Sequence, residues 1–314
     1  MIRALLLVLL PLWALADIDV SESPQQLLER IAQASSQQNY QGTVVMASAT
    51  SWQTMAVQHA LIEGQEYERL QQLTGLPQEY IQRGAEQICS HADHLPLHRS
   101  LKNPLRIPAP KLQPDFAYDL SMGTVQRLAG RIVRQLHVQP HDHNRYGLNL
   151  WLDQQTGLLL GVDLLDGQQH VLERTHFVEI NMAPMLVADD FLPSMPSHGV
   201  QVIDAIKTTI APVSWQPNWL PTGFHLTSAQ EQENSIRLMY FDGITAFSVF
   251  IDRTASVPTL EKQWGATAAV VMPVTYEDQV HRVTAVGEVP LETLRQIALS
   301  VQPNLTLPIL ESVE

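Results

Sequence analysis

The chain has 314 residues, of which 45% are hydrophobic and 16% are charged, and its 32 Asp and Glu residues outnumber its 19 Lys and Arg residues to give a net charge of −13. This length predicts about two domains, and the hydrophobic content is that of a globular rather than a disordered protein. Nucleic-acid-binding proteins and polybasic membrane-surface proteins carry basic patches, so the charge balance argues against both classes.

The first sixteen residues have the pattern of a secretory signal peptide. Arg3 precedes a short apolar run over residues 4–13, and Ala14 and Ala16 supply the small residues that signal peptidase requires. The run is too short to span a bilayer. The pattern therefore predicts cleavage after Ala16 and a mature protein that starts at Asp17.

After the signal, the chain alternates between one helical segment and several strands. Ser23 and Pro24 are a typical helix start, and the apolar residues that follow recur at helical spacing over residues 24–36. From Tyr40 the apolar period changes to two, which predicts strands. The predicted strands of this part cover residues 42–46, 55–61, 67–73, 80–83 and 87–90.

The segment from His94 to Pro114 is rich in proline and carries no acidic residue. Prolines at this density favour an extended loop. Its four cations stand out in an acidic protein and are candidates for binding an anionic ligand, although a solvated loop is the alternative. These cations are Arg99, Lys102, Arg106 and Lys111.

Long strands follow over residues 125–138, 146–153, 158–165 and 171–180, and with the first helix they predict an α+β domain whose sheet curves over that helix. Alternate positions on one face are apolar. This face either is plain core or forms a groove for an acyl chain. The predicted lining residues are Val44, Met46, Leu70, Leu148, Leu150 and Leu152.

A second domain is predicted after a proline-containing linker at residues 191–214. Its strands are expected near residues 224–231, 235–241, 244–252, 268–272 and 280–287, and its helix starts at Pro290. Trp215 and Trp219 near its start are candidates for partner binding, because interface hot spots favour Trp, and core packing is the alternative for each.

The candidate chemistry is limited. Cys89 is the only cysteine, so no intramolecular disulfide forms, and a small buried side chain is expected there. The spacing of Cys89, His91, His94 and His98 matches no standard zinc motif. Solvated loop histidines are favoured, with metal binding or pH sensing left open. The sequence contains none of the common hydrolase, metalloprotease or phosphate-binding motifs, so we expect no catalysis, metal or cofactor.

Short motifs recur through both predicted domains in a characteristic order. In the first they are Asn39-Tyr40-Gln41-Gly42-Thr43, Glu68-Arg69-Leu70, Gly75-Leu76-Pro77-Gln78-Glu79, Ala129-Gly130-Arg131, Arg145-Tyr146-Gly147, Leu150-Trp151-Leu152-Asp153, Thr156-Gly157-Leu158-Leu159 and Asp163-Leu164-Leu165-Asp166. In the second they are Leu220-Pro221-x-Gly223-Phe224, Tyr240-x-Asp242-Gly243, Ser248-Val249-Phe250-Ile251 and Val286-Gly287-Glu288-Val289-Pro290. In this order, from about residue 24 to residue 302, the chain resembles the RseB/MucB family of periplasmic sigma-E regulators.

The resemblance implies a fold and a function. It implies a LolA/LolB-like half-open antiparallel β-barrel with helices in its mouth at residues 17–190, a smaller α+β domain at residues 215–303 and a tail at 304–314. It also implies a periplasmic negative regulator that binds the periplasmic part of a membrane-spanning anti-sigma factor and shields it from proteolysis. Lipopolysaccharide or lipoprotein acyl chains would relieve the shielding. The alternative is a lipid or lipoprotein carrier without regulatory function, and a homo-oligomer is left open.

Overall fold

The computed structural model describes residues 22–84, 86–91, 103, 105, 117–194, 197–202, 212–254 and 258–304. Within them lie an eleven-stranded sheet, a six-stranded sheet and a two-stranded sheet. The eleven-stranded and six-stranded sheets each have their own apolar core. The predicted signal peptide and its cleavage site at Ala16 lie outside the described residues.

The first domain is built on the eleven-stranded sheet, whose neighbouring strands all pair antiparallel. Its strands in chain order are β1 (Tyr40–Ser48), β2 (Trp52–Ile62), β3 (Gln65–Gln72), β4 (Gln78–Arg83), β5 (Glu86–His91), β6 (Tyr118–Leu128), β7 (Arg131–Pro140), β8 (Gly147–Asp153), β9 (Leu159–Leu165), β10 (Val171–Asn181) and β11 (Ser197–Val202). Their spatial order is β11-β5-β4-β3-β2-β1-β10-β9-β8-β7-β6. The end strands β11 and β6 do not pair with each other, so the barrel is half open, as expected.

One helix, α1 (Pro24–Gln37), packs against this sheet. Ser23 caps its start, because the Ser23 hydroxyl accepts a hydrogen bond from the Gln26 backbone and the Gln26 side chain accepts one from the Ser23 backbone. The helix buries Leu28 and Ile31 completely. We call the sheet face beneath α1 the inner face; it carries the fully or almost fully buried Val44, Leu70, Leu150 and Phe177.

The hairpin of β6 and β7 differs from the expected single run over residues 125–138. A turn at Ala129 and Gly130 divides it, and both residues have positive φ angles, 47° and 79°. Glycine adopts this left-handed conformation without strain, so the Gly130 position favours the reversal. Within β7, Ile132 is half exposed, whereas Leu136 is buried.

The second domain has the six-stranded sheet and a helix on one of its faces. Its strands are β13 (His225–Gln232), β14 (Ser235–Phe241), β15 (Ala246–Arg253), β16 (Leu260–Trp264), β17 (Thr267–Tyr276) and β18 (Gln279–Gly287), in the order β13-β14-β15-β18-β17-β16. The helix α2 (Leu291–Leu299) buries Leu294 and Ile297 against this sheet. The α+β class of both domains agrees with the sequence prediction.

Two connections complete the fold. Part of the segment expected to be a linker, residues 191–214, forms β11 and pairs with β5. A short 3-10 helix at Ala188–Phe191 precedes it. The strands β12 (Trp215–Pro217) and β19 (Val301–Pro303) form the two-stranded sheet, which joins the start of the second domain to its end.

Candidate functional site

The two domains meet at a buried charged cluster, which we call the joint. It is formed by Arg145, just before β8, by Tyr118 at the start of β6, and by Asp242 in the turn between β14 and β15. The Arg145 and Asp242 side chains are both fully buried. Buried charges require partners, so the position of every polar atom in the joint matters for stability.

Arg145 bonds to both domains at once. Its Nη1 donates to the Asp242 carboxylate over 2.6 Å, and its Nη2 donates to the Thr222 carbonyl over 2.6 Å. Within its own domain, its Nη2 and Nε donate to the two Asp142 oxygens over 3.0 and 3.2 Å. The guanidinium also lies over the Phe224 ring, 4.8 Å from its centroid. Arg145 thus links the loop before β8 to two loops of the second domain.

Tyr118 completes the cluster, because its hydroxyl donates to Asp242 over 2.8 Å. Burial, together with the neighbouring Asp242 charge, raises the pKa of this hydroxyl well above its ordinary value. Burial opposes the charge of Arg145, but the hydrogen bond to Asp142 and the neighbouring Tyr118 and Asp242 raise the pKa of its guanidinium. Tyr118 therefore stays a neutral donor and Arg145 stays charged at neutral pH.

Further hydrogen bonds surround the joint. The Glu173 carboxylate of β10 accepts a bond from the backbone N–H of Ala266 over 3.1 Å. The Gln263 amide donates to the Tyr146 hydroxyl over 3.3 Å. These contacts come from β10 and the loop before β8 on one side and from the β16–β17 hairpin on the other. These contacts fix the orientation of the two domains relative to each other.

In the sequence, two of the motifs contain the charges of the joint: Arg145-Tyr146-Gly147 and Tyr240-x-Asp242-Gly243. The contact between these two motifs was not predicted. The two charges are 97 positions apart in the chain. A lone Arg and a turn Asp are common surface residues, and nothing local in either motif signals that both are buried.

The six predicted groove residues all lie on the inner face, and their role in binding a ligand stays a prediction. Five are buried and Met46 is partly buried against the same core. Leu148 retains 7% exposure, whereas Val44, Leu70 and Leu150 retain none. They therefore fill the space beneath α1, and acyl-chain binding there requires side chains or the helix to move.

The predicted partner residues Trp215 and Trp219 lie in the second domain. Trp215 retains 8% exposure. The centroid of its ring lies 4.4 Å from that of the His281 ring and 5.7 Å from that of the Tyr276 ring. Trp219 is partly buried against the same core, and its backbone N–H donates to the Ser300 hydroxyl. Trp215 thus has a packing role, and direct partner contact by either ring stays a prediction.

The predicted anionic-ligand residues Arg99, Lys102, Arg106 and Lys111 lie outside the described residues. Asn103 and Leu105 of the same segment are described, and both are buried. Cys89 and His91 lie in β5, whereas His94 and His98 are outside the described part of the chain.

Metal-binding clusters and membrane-spanning helices are absent from the described residues. No group of three or more His, Cys, Asp or Glu side chains in them is placed to hold a metal ion. None of the helices described is both long enough and apolar enough to cross a membrane.

Comparisons with known proteins cover both domains. Family models described as the MucB/RseB N-terminal domain and the MucB/RseB C-terminal domain match residues 23–196 and 209–302. The chain is 34% identical to the sigma factor AlgU regulatory protein MucB of Pseudomonas aeruginosa over 88% of this chain and 90% of that protein. It is 25% identical to the sigma-E factor regulatory protein RseB of Escherichia coli K12 over 91% and 93%, respectively.

A solved structure agrees with these matches. The crystal structure of MucB in complex with MucA(peri) matches with a TM-score of 0.75 at 32% sequence identity and covers 90% of this chain and 99% of that chain. Sequence and structure thus agree over both domains. Because the two family models together match more than half of its residues, the chain belongs to the MucB/RseB family.

Proposed function

We propose that this protein is a periplasmic negative regulator of the sigma-E envelope-stress response. It binds the periplasmic part of a membrane-spanning anti-sigma factor and shields it from regulated proteolysis. It acts by binding alone and catalyses no reaction. The observation that carries this proposal is the match over both domains to MucB solved in complex with MucA(peri).

The joint supports a regulator over the alternative, a carrier of lipids or lipoproteins. A carrier needs only the half-open barrel, whereas this chain buries an ion pair to fix a second domain onto it. Fixing two domains costs desolvation of both charges. That cost is useful where a partner contacts both domains, so we place the partner-binding surface on the second domain and along the joint.

Export and ligand control complete the proposal. The signal pattern that ends at Ala16 supports secretion to the periplasm. The apolar inner face supports relief by lipopolysaccharide or lipoprotein acyl chains, which would favour an arrangement with lower partner affinity. Ligand and partner must then weaken each other by the same factor, and allosteric coupling of this kind is typically about 5- to 150-fold.

The test uses the mature full-length protein with the MucA periplasmic domain as the partner. We expect specific capture of that domain and slower cleavage of it by its first regulatory protease, with serum albumin as the unrelated control. Lipopolysaccharide should reverse the protection. Failure to capture the domain at micromolar concentration would refute the regulator. Stoichiometric lipid found by native mass spectrometry, with no protection of the partner, would support the carrier instead.

A further inference from the structure

Two neighbouring turns at one end of the eleven-stranded sheet carry exposed apolar side chains. The first turn joins β1 to β2 over residues 49–51, and the second joins β3 to β4 over residues 73–77. Trp52 retains 66% exposure, Leu73 51% and Leu76 56%. We call these two turns, together with Trp52, the tip patch. Large apolar side chains that stay exposed as a group mark contacts with a partner or a membrane.

The register of the sheet places the two turns side by side. β2 begins beside the end of β3. The Leu73 backbone N–H donates to the Thr54 carbonyl over 2.8 Å, and the Thr54 N–H donates to the Thr74 hydroxyl over 3.0 Å. Leu73 is therefore opposite Thr54. Because opposite residues share a face, as do residues two apart in one strand, Trp52 and Leu73 lie on the same side of the sheet.

The shape of both turns is fixed by their own backbone. The Ser48 N–H donates to the Ser51 carbonyl over 2.8 Å, and the hydroxyls of these two residues lie 3.0 Å apart. In the second turn Gly75 has a φ angle of 80°, a left-handed conformation that glycine adopts without strain. The exposed side chains are thus carried by ordered turns, which lowers the entropy lost when they bind.

Both turns lie in stretches of the chain that carry no charge. No Asp, Glu, Lys or Arg occurs between Arg30 and Glu63, or between Arg69 and Glu79, although the whole chain has a net charge of −13. Arg69 and Glu79, which bound the second stretch, pair with each other over 2.5 Å. The tip patch therefore presents Trp and Leu among uncharged Ser, Thr and Gln side chains.

Charged side chains border the tip patch on the side of β10. Arg174 lies two strands from Trp52 in the same row, with Ala47 between them. Its guanidinium bonds to the Asp163 carboxylate over 2.8 Å. Asp166 lies in the β9–β10 turn at the same end of the sheet. This border carries more negative than positive charge, so it would be repelled by a surface rich in anionic lipid.

We propose that the tip patch docks on the surface of a zwitterionic phospholipid bilayer, with Trp52, Leu73 and Leu76 inserted at the level of the headgroups. Trp is enriched at membrane–water interfaces because its ring is apolar and its N–H is a hydrogen-bond donor. Uncharged hydroxyl and amide groups lose less solvation energy there than charged groups do. The choice of a bilayer rests on the proposed function, because a partner that spans the membrane is met at the membrane surface.

The test measures flotation of the mature full-length protein with unilamellar vesicles, in the absence of any partner. We expect binding to phosphatidylcholine vesicles that added salt does not weaken, and weaker binding when phosphatidylglycerol is included. Quenching of Trp fluorescence by brominated phosphatidylcholine reports insertion. Trp52→Phe keeps an apolar ring, so it should still float with the vesicles but should lose most of the quenching.

Substitutions that make the tip patch polar should release the protein from vesicles. Because burial of a large apolar side chain changes a partition coefficient by about tenfold, Trp52→Ser should weaken vesicle binding by about that factor. The double variant Leu73→Ser, Leu76→Ser should weaken it to a similar extent. Trp264→Ser is the matched control, since Trp264 is an exposed Trp of β16 in the second domain and its loss should leave binding unchanged.

The outcomes separate the bilayer from other occupants of the tip patch. No flotation with excess phosphatidylcholine, or equal binding by Trp52→Ser and Trp264→Ser, would overturn the inference. A dimer in analytical ultracentrifugation that Trp52→Ser dissociates, without flotation of the unsubstituted protein, would assign the patch to a second copy and would also overturn it. Circular dichroism identifies a variant that fails to fold, and the double leucine variant then decides. Capture of the MucA periplasmic domain is measured without vesicles, so its failure would refute the regulator and leave the docking result standing.

Discussion

Asp242→Asn is the substitution that should loosen the two domains most specifically. Asparagine keeps the shape of the side chain, and its oxygen can still accept the Tyr118 bond. The charge opposite Arg145 is removed, and the amide N–H₂ takes the place of the oxygen that accepts bonds from the Ile244 and Thr245 backbone. Arg145 then retains Asp142, over 3.0 Å, as its ionic partner. The variant therefore makes the Tyr118 bond neutral and leaves the Arg145 bond charged only at its donor.

The expected loss follows from the difference between those bonds. Hydrogen bonds to charged groups contribute about 1.5–3 kcal/mol and neutral ones about 1 kcal/mol, so the joint should lose about 1–2 kcal/mol. A loss of that size shifts the equilibrium between joined and separated domains by roughly 5- to 30-fold toward separation. Weaker binding of the MucA periplasmic domain should accompany it, because the proposed surface spans the joint.

Calorimetry and small-angle X-ray scattering would measure this effect. The melting transitions of the two domains should move apart in Asp242→Asn, and the radius of gyration should increase. Asp252→Asn is the control, because its pair with the half-exposed Arg282 lies on the surface of the second domain and should contribute only about 0–1 kcal/mol. Identical melting and scattering for the two variants would refute the argument that the joint couples the domains.

Three further predictions concern stability. Burial, aided by the nearby Arg253, lowers the pKa of His281 in the folded second domain. The unfolded domain therefore binds this proton at a higher pH than the folded domain does, and stability should fall as the pH drops below about 6.5. Urea titrations at several pH values should show a shallower fall in stability for His281→Phe. Burial opposes ionisation of Asp153, but hydrogen bonds from Arg131 and Thr156 lower the pKa of that carboxyl. The stability that the ionised Asp153 contributes should therefore be lost in acid as the pH falls below about 4. Asp153→Asn should flatten the acid-unfolding curve. Leu28→Ala should cost about 2–5 kcal/mol in denaturant unfolding of the first domain, whereas an exposed Leu299→Ala should leave it unchanged.

Much of the fold could be predicted because it depends on local patterns. The capping residues at Ser23 and the spacing of Leu28 and Ile31 predicted α1, and alternation of apolar residues predicted most strands with their inner faces. β16 was missed because all five of its residues are exposed, so it carries no alternation of burial. The turn at Gly130 was missed because apolar residues continue on both sides of it.

The candidate sites were harder to predict because they depend on contacts between distant segments. Arg145 and Asp242 acquire their role only when the two domains meet. The prediction for the segment His94 to Pro114 rested on its four cations, which lie outside the described residues, so it stays a prediction. Nothing in the composition of the segment indicated that Asn103 and Leu105 are buried. The composition of a loop gives only its average polarity. It therefore does not indicate which single residues of the loop are buried.

The short pairing of β12 with β19 has a mechanical consequence. Trp215 lies opposite Pro303, so the chain enters and leaves the second domain at one point. Tension between the first domain and the end of the chain would load this three-residue ladder one pair at a time. The three pairs would therefore separate in sequence before the force reached the six-stranded sheet. That sheet would stay folded while the segments on either side of it were stretched.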